Sequence, residues 1–217
     1  MTDYAHARTQ MVENQLRTVS VSDKRLLAAL MTVPREHFVA AAQKPIAYTD
    51  VVLPIGAGRY LAAPAPFAKL VQLAEIAHDD AVLDVGAGTG YSTAVLAAMA
   101  SEVTALESDP ALADIARRNL TELGIAHVRL VEAPLDGSYR PGRLFDVIIV
   151  EGAVDAEPSA FFPLLADGGR LVALVRDGSV ATAHLYVRSG EEVAGRAEFN
   201  AALPALPLAP RPQAFVF

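Results

Sequence analysis

The segment Val82-Leu83-Asp84-Val85-Gly86-Ala87-Gly88-Thr89-Gly90-Tyr91 sets three glycines at alternate positions behind an apolar run that carries an acid. Glycines so placed allow positive φ and let a ligand approach the backbone with no Cβ in the way. Glu107 ends the next apolar run, with Ser108-Asp109 behind it. An acid there is placed to accept hydrogen bonds from both hydroxyls of a ribose. Dinucleotide enzymes share that geometry, so the glycine spacing must decide. Gly-x-Gly-x-x-Gly would need glycine at Tyr91, counting from Gly86, or at Thr93, counting from Gly88. Neither position holds one. Asp-x-Gly-x-Gly-x-Gly suits a nucleoside without pyrophosphate, namely S-adenosylmethionine, with S-adenosylhomocysteine as product. The candidate cofactor residues are Asp84, Gly86, Ala87, Gly88, Gly90, Tyr91, Glu107 and Ser108, with Glu132 and Ala133 after the third strand. Asp84 either contacts the cofactor or orders the loop by accepting its backbone N–H groups. His6, His78, His127 and His184 have no metal-ligand spacing, and no metal is expected.

The elements that must hold these residues alternate. Strands are predicted at 81–85, 103–107, 128–131, 145–150 and 171–175. Helices are predicted at 67–77, 91–99 and 110–124, with a short one at 158–165 and a turn at 167–169. Such alternation implies a parallel, doubly wound α/β sheet. Segments 183–187 and 193–199 read as an antiparallel hairpin at one edge. Residues 7–16 read as one N-terminal helix. Ser22 or Asp23 can cap a second that carries Leu26, Leu27 and Leu30 and stops before Pro34. Residues 44–66, punctuated by Pro54, Gly56, Gly58, Pro64 and Pro66, read as a long loop, which in a compact domain is more often functional than accidental. The expectation is one domain over 1–217: a helical region and acceptor loop at 1–66, a cofactor-binding sheet at 67–199, and a Pro-rich tail at 200–217 packed on the domain.

Composition narrows the partners. The 217 residues carry a formal net charge of -7, which disfavours a nucleic-acid face. Mean hydropathy is +0.31, yet no apolar run approaches the roughly 18 residues of a membrane span, so no membrane partner is expected. The N-terminus has no basic start and no apolar core of a signal peptide, and cysteine is absent. A cytoplasmic protein is the expectation. Nothing in the sequence sets the oligomeric state.

Several further words resemble the protein-L-isoaspartate O-methyltransferase family: Met11-Val12-Glu13-Asn14-Gln15-Leu16, Val33-Pro34-Arg35-Glu36-His37-Phe38-Val39, Tyr48-Thr49-Asp50, Leu53-Pro54-Ile55-Gly56-x-Gly58, Phe145-Asp146-Val147-Ile148-Ile149-Val150 and Gly168-Gly169-Arg170-Leu171-Val172. Together with the glycine loop they cover residues 7–176. The resemblance implies a class I S-adenosylmethionine-dependent methyltransferase fold with helices packed on its N-terminal side. It also implies methyl transfer to the α-carboxylate of L-isoaspartyl residues in aged proteins, a repair reaction. A carboxylate is already ionised at neutral pH, so alignment and exclusion of water would carry the catalysis.

The match departs from the family at the acceptor. Where the family reads Gln-Thr-Ile-Ser-Gln-Pro, this chain reads Arg59-Tyr60-Leu61-Ala62-Ala63-Pro64. Ala62 stands at the serine position and cannot donate to an acceptor carboxylate. Arg59, by pairing with that carboxylate, or Tyr60, through its hydroxyl, could compensate. The family's Gly-Asp-Gly is replaced by Ala133-Pro134-Leu135, and its Thr-Ala-Ala by Glu151-Gly152-Ala153. Glu151 adds negative charge where a carboxylate must arrive. Arg59, Tyr60, Ala62 and Glu151 are thus the candidate catalytic positions. A different acceptor, or a non-catalytic cofactor-binding protein, is the alternative. His37 is expected to be a packed structural residue and Asp50 a turn former.

Overall fold

The computed structural model describes residues 3–178, 180–206 and 208. The N-terminal region opens with α1 (Tyr4–Met11), which passes through a wider turn at Val12–Leu16 and a tight one at Arg17–Val19. The single helix expected over 7–16 is therefore a composite that begins earlier. Next comes α2 (Lys24–Thr32), whose N-cap is Asp23, its carboxylate accepting from the Arg25 and Leu26 amides. Of the two capping candidates, Asp23 fills the role.

The long loop is not featureless. Residues Leu53–Gly56 (β1) and Arg59–Leu61 (β2) pair as an antiparallel hairpin. Its turn needs left-handed backbone at three successive residues, Gly56, Ala57 and Gly58, and the two glycines adopt it without Cβ strain. Helix α3 (Pro64–Leu73) starts three residues earlier than expected and ends before 77. Pro64 sits in its first turn, where no N–H is needed, and Asp50 Oδ1 accepts the Ala65 amide at 2.9 Å. Asp50 is a cap supplied from outside the helix.

The sheet follows as β3 (Ala81–Val85), α4 (Tyr91–Ala97), β4 (Glu102–Glu107), α5 (Pro110–Glu122), β5 (Val128–Glu132), β6 (Phe145–Val154), β7 (Leu165–Asp177), β8 (Val180–Ser189) and β9 (Glu192–Ala201). Strand order is β5-β4-β3-β6-β7-β8-β9. The first five are mutually parallel, and β8 and β9 close one edge antiparallel. This is the mostly parallel, doubly wound sheet with an antiparallel edge hairpin. Two expectations are corrected. Strand β6 continues past 150 through Glu151-Gly152-Ala153-Val154, and residues 167–169 lie inside β7 instead of forming a turn. The short helix near 158–165 is a tight one at Ser159–Leu164.

Apolar side chains from both faces of the sheet fill two buried clusters. One joins the N-terminal helices and α3 and α4 to the sheet, through Leu26, Phe38, Phe67, Tyr91 and Val147 among others. The other lies under the opposite face and includes Leu83, Ile148, Phe161 and Leu206. Beyond β9 the chain returns over the sheet: the Ala153 amide donates to Pro204 O at 3.0 Å and the Leu206 amide to Ala153 O at 2.8 Å. The tail therefore packs on the sheet as far as Leu206; residues 207 and 209–217 lie outside the described residues. No described helix is long and apolar enough to cross a membrane.

Candidate active site

Strands β3 and β4 end side by side, with Val85 in register with Leu106, so the glycine loop and Glu107 meet at the carboxyl edge of the sheet. Glu107 is fully buried. Its carboxylate accepts the Gly88 amide at 2.7 Å, the Ser108 amide at 2.8 Å and the Asp109 amide at 3.0 Å. Arg59 completes the set, with Nη1 at 2.9 and 3.2 Å from the two oxygens. The other guanidinium nitrogen donates to Gly86 O at 2.8 Å. Arg59 is thus held by the donor side of the site, not free in the acceptor loop.

Asp84 plays a different part from the loop-ordering one considered above. Its Oδ2 accepts the Ser92 hydroxyl at 2.8 Å and the Thr93 hydroxyl at 2.5 Å, side chains of the first turn of α4. The loop amide goes to Glu107 instead. Asp84 Oδ1 is shielded from solvent and has no hydrogen-bond partner among the described residues. Burial raises the Asp84 pKa to about 6, against the two hydroxyl bonds that lower it.

The glycines divide by what faces them. A Cβ on Gly86 would meet Arg59 Nη2 at 2.8 Å and Leu206 Cδ2 at 3.0 Å, and one on Gly88 would meet Ile55 Cδ1 at 2.6 Å. These two form a cradle that Arg59, Leu206 and Ile55 fill. Gly90, the N-cap of α4, faces the protein instead, with Ala116 Cα at 3.3 Å from its ideal Cβ, so it lets α4 start close against α5. The Tyr91 ring is 1% exposed and packs against Phe38 and Phe67, under the Arg35 guanidinium, and Tyr91 also lines the cavity beneath the loop. The first residue of α4 thus joins the floor of the loop to the helical layer. Glu132 is exposed and Ala133 half-buried. Neither lines the cavity beneath the loop; the Ala133 amide donates to Glu107 O at 3.0 Å.

Two small cavities flank Glu151. One lies beneath the loop between Gly86, Gly88, Ser92, Tyr60 and Ala62; it amounts to about 20 Å³, room for about one water. The other is walled by Arg59, Tyr60, Ala62, Gly152 and the Leu203-Pro204-Ala205 segment. All four candidate catalytic positions therefore gather at one place. Glu151 Oε1 is shielded and has no hydrogen-bond partner among the described residues. Burial first, and then the charge of Asp84, holds its carboxyl well above the usual range despite the opposing Arg59.

The N-terminal words support this floor. Arg35, fully buried, donates through Nε to Ala47 O at 2.7 Å and through Nη2 to Ala62 O. Tyr48 accepts from the Arg35 amide at 3.1 Å and from Arg8 Nε at 2.9 Å, and donates to Glu36. His37 lies beside Glu122 at 3.2 Å on α5, in keeping with a structural place. Sequence reasoning missed Arg35 as an anchor of the acceptor loop, and missed Ile55 and Leu206 as occupants of the cradle. The word Val33-Pro34-Arg35-Glu36 carried a signal for the first. Nothing in the sequence marked the other two.

A family model described as protein-L-isoaspartate(D-aspartate) O-methyltransferase matches residues 6–202. The chain belongs to this family. Among relatives named protein-L-isoaspartate O-methyltransferase, that of Koribacter versatilis is 40% identical over 187 residues, covering 86% of this chain and 83% of its own. That of Methylorubrum populi is 41% identical over 192 residues, covering 88% and 89%. A solved protein-L-isoaspartate O-methyltransferase superposes with a TM-score of 0.80 at 25% identity, covering 92% of this chain and 65% of that one. A second, from Plasmodium falciparum in complex with S-adenosyl-L-homocysteine, gives 0.79 at 18% identity and shares the fold, covering 96% of this chain and all of its own. Family membership and the class I methyltransferase fold thus agree with the geometry at the carboxyl edge of the sheet. No cluster of metal-ligating side chains occurs among the described residues.

Proposed function

We propose that this chain is an S-adenosylmethionine-dependent carboxyl O-methyltransferase of the L-isoaspartate type, acting on aged proteins. One observation carries the reading. Asp84 and Glu151 each hold a shielded carboxyl oxygen with no hydrogen-bond partner among the described residues, at the strand ends beside the glycine loop. Such oxygens suit a ligand that brings its own positive charge. S-Adenosylmethionine, when bound, supplies an ammonium group and a methyl on an activated sulfonium.

The chain's own residues do the rest. Glu107 and Ser108 take the ribose, Asp84 takes the ammonium, and Gly86, Ala87 and Gly88 let the nucleoside lie against backbone. The acceptor carboxylate approaches by way of Tyr60, Ala62 and Glu151. Burial holds the Glu151 carboxyl well above the usual range, which favours its neutral form and lessens repulsion of the incoming carboxylate. With the nucleophile already ionised, these walls need only align it and exclude water.

Transfer of a labelled methyl group to an isoaspartyl peptide, with the aspartyl peptide as control, tests the reading. Base-labile label on the isoaspartyl peptide alone is the expected result. Its absence in protein that binds S-adenosylhomocysteine would leave the second reading, a methyltransferase with another acceptor, which Ala62 and Glu151 favour. Ala62→Ser returns a donor to the acceptor cavity. A hydrogen bond to a charged group contributes about 1.5–3 kcal/mol, so turnover on the isoaspartyl peptide should rise about tenfold or more.

Donor binding should also depend on pH with a defined sign. The ammonium pairs with ionised Asp84, whose pKa in the free protein is raised to about 6. Protons compete with the ligand below that value, so affinity for S-adenosylhomocysteine should be level above about pH 6.5 and fall as pH drops through 6. The limiting slope for one linked proton is about tenfold per pH unit. Calorimetry between pH 5 and 8 reads it, and a flat profile would remove Asp84 from the donor site.

A further inference from the structure

The residue that pairs with Glu107 comes from the wrong side of the site. Arg59 belongs to the β1–β2 hairpin, next to Tyr60 and close to Ala62 in the acceptor region, yet its guanidinium lies on the carboxylate that should receive the ribose. A carboxylate offers about four acceptor sites. Glu107 fills them with the amides of Gly88, Ser108 and Asp109 and with Arg59 Nη1, and the Ser108 hydroxyl adds a long contact at 3.5 Å. No capacity is left for two ribose hydroxyls. The three amides are backbone, one from the glycine loop and two from the turn after β4, so the Arg59 side chain is the partner that can leave.

The hairpin closes the cradle as well. Ile55 from β1 lies over Gly88, while Arg59 from β2 and Leu206 from the tail lie over Gly86. The same Arg59 also walls the acceptor cavity with Tyr60, Ala62 and Glu151. Its guanidinium therefore sits at the boundary of the two sites, and its planar fork pairs equally well with either carboxylate, that of Glu107 or that of an acceptor.

We propose that Arg59 is a latch coupling the two sites: it closes the donor site on Glu107, and the donor, by taking Glu107, releases Arg59 into the acceptor cavity to hold the substrate carboxylate. This rests on the reading of the site given above. Binding is then ordered, donor first. One residue opposes the donor and supports the acceptor, and a merely structural arginine would do neither.

The test is a pair of measurements on Arg59→Ala and on Arg59→Met, the second keeping the apolar stem that packs the hairpin. Folding of each is checked first by its thermal melt. Calorimetric affinity for S-adenosylhomocysteine should tighten about tenfold, since one charge-assisted competitor is gone. The KM for the isoaspartyl peptide, at saturating S-adenosylmethionine, should rise at least about tenfold. Donor affinity unchanged or weakened in Arg59→Met, with wild type binding normally, overturns the latch and leaves the methyltransferase reading intact. Failure of wild type and both folded variants to bind takes down both. Binding by the variants alone supports the latch in its strongest form, as a closed site opened by removing one side chain.

Discussion

Glu107→Ala should abolish measurable S-adenosylhomocysteine binding and lower folding stability by about 3–5 kcal/mol, the cost of leaving a buried charge without its partner. The size follows from the surroundings. Arg59 is 7% exposed and Glu107 is not exposed at all, so the orphaned guanidinium cannot simply turn into water. Amides of Gly88, Ser108 and Asp109 lose their acceptor at the same moment. Chemical denaturation of the wild type, the variant and the Arg59→Ala/Glu107→Ala pair separates these effects. Removing both charges should recover part of the loss, because the stranded cation is then gone and only the loop amides remain unpaired. A double variant no more stable than Glu107→Ala would mean that the ion pair contributes little and the loop amides carry the cost.

Arg35→Ala should be the second large effect, and of a different kind. Arg35 ties Ala47 O and Ala62 O to one buried guanidinium and lies 4.8 Å above the Tyr91 ring. Two charge-assisted bonds at about 1.5–3 kcal/mol each, less what relaxation recovers, give a destabilisation of about 3–4 kcal/mol. The Ala62 carbonyl belongs to the floor of the acceptor cavity, while the glycine loop is held by Glu107. Methyl transfer should therefore fall about tenfold or more through misplacement of the acceptor, with S-adenosylhomocysteine affinity little changed. A parallel loss of donor affinity would show that the two halves of the site are not held separately.

How far the sequence could be read depends on which force wrote each element. Parallel strands buried on both faces become uninterrupted apolar runs, and Ala81–Val85 and Phe145–Val150 announced themselves that way. The place of Glu107 beside the glycine loop was legible because consecutive parallel strands end at the same edge of the sheet. The β1–β2 hairpin was not legible: its strands are four and three residues long, and Pro54, Gly56 and Gly58 read as loop. The extension of β6 was hidden by Glu151-Gly152, a pair that looks like a strand end. The packing of Tyr91 was not legible, because adjacency to a motif says nothing of direction, and the first turn of α4 sets its ring against Phe38 and Phe67. The Arg59–Glu107 pair spans forty-eight residues, and only the folded chain brings such partners together. Arg59 was expected on the carboxylate of the acceptor, and in the folded chain it lies on the internal carboxylate of Glu107.

The plug formed by Ile55, Arg59 and Leu206 also changes the thermodynamic character of the site. The apolar atoms over Gly86 and Gly88 already cover surface that a nucleoside would otherwise be the first to bury. Capture of the donor then exchanges one cover for another, an internal ion pair and two aliphatic side chains for a ribose and its base. The heat-capacity decrease that ordinarily marks burial of apolar surface by a ligand therefore belongs here largely to folding, and what the ligand adds is a redistribution of charge within a site that was already covered.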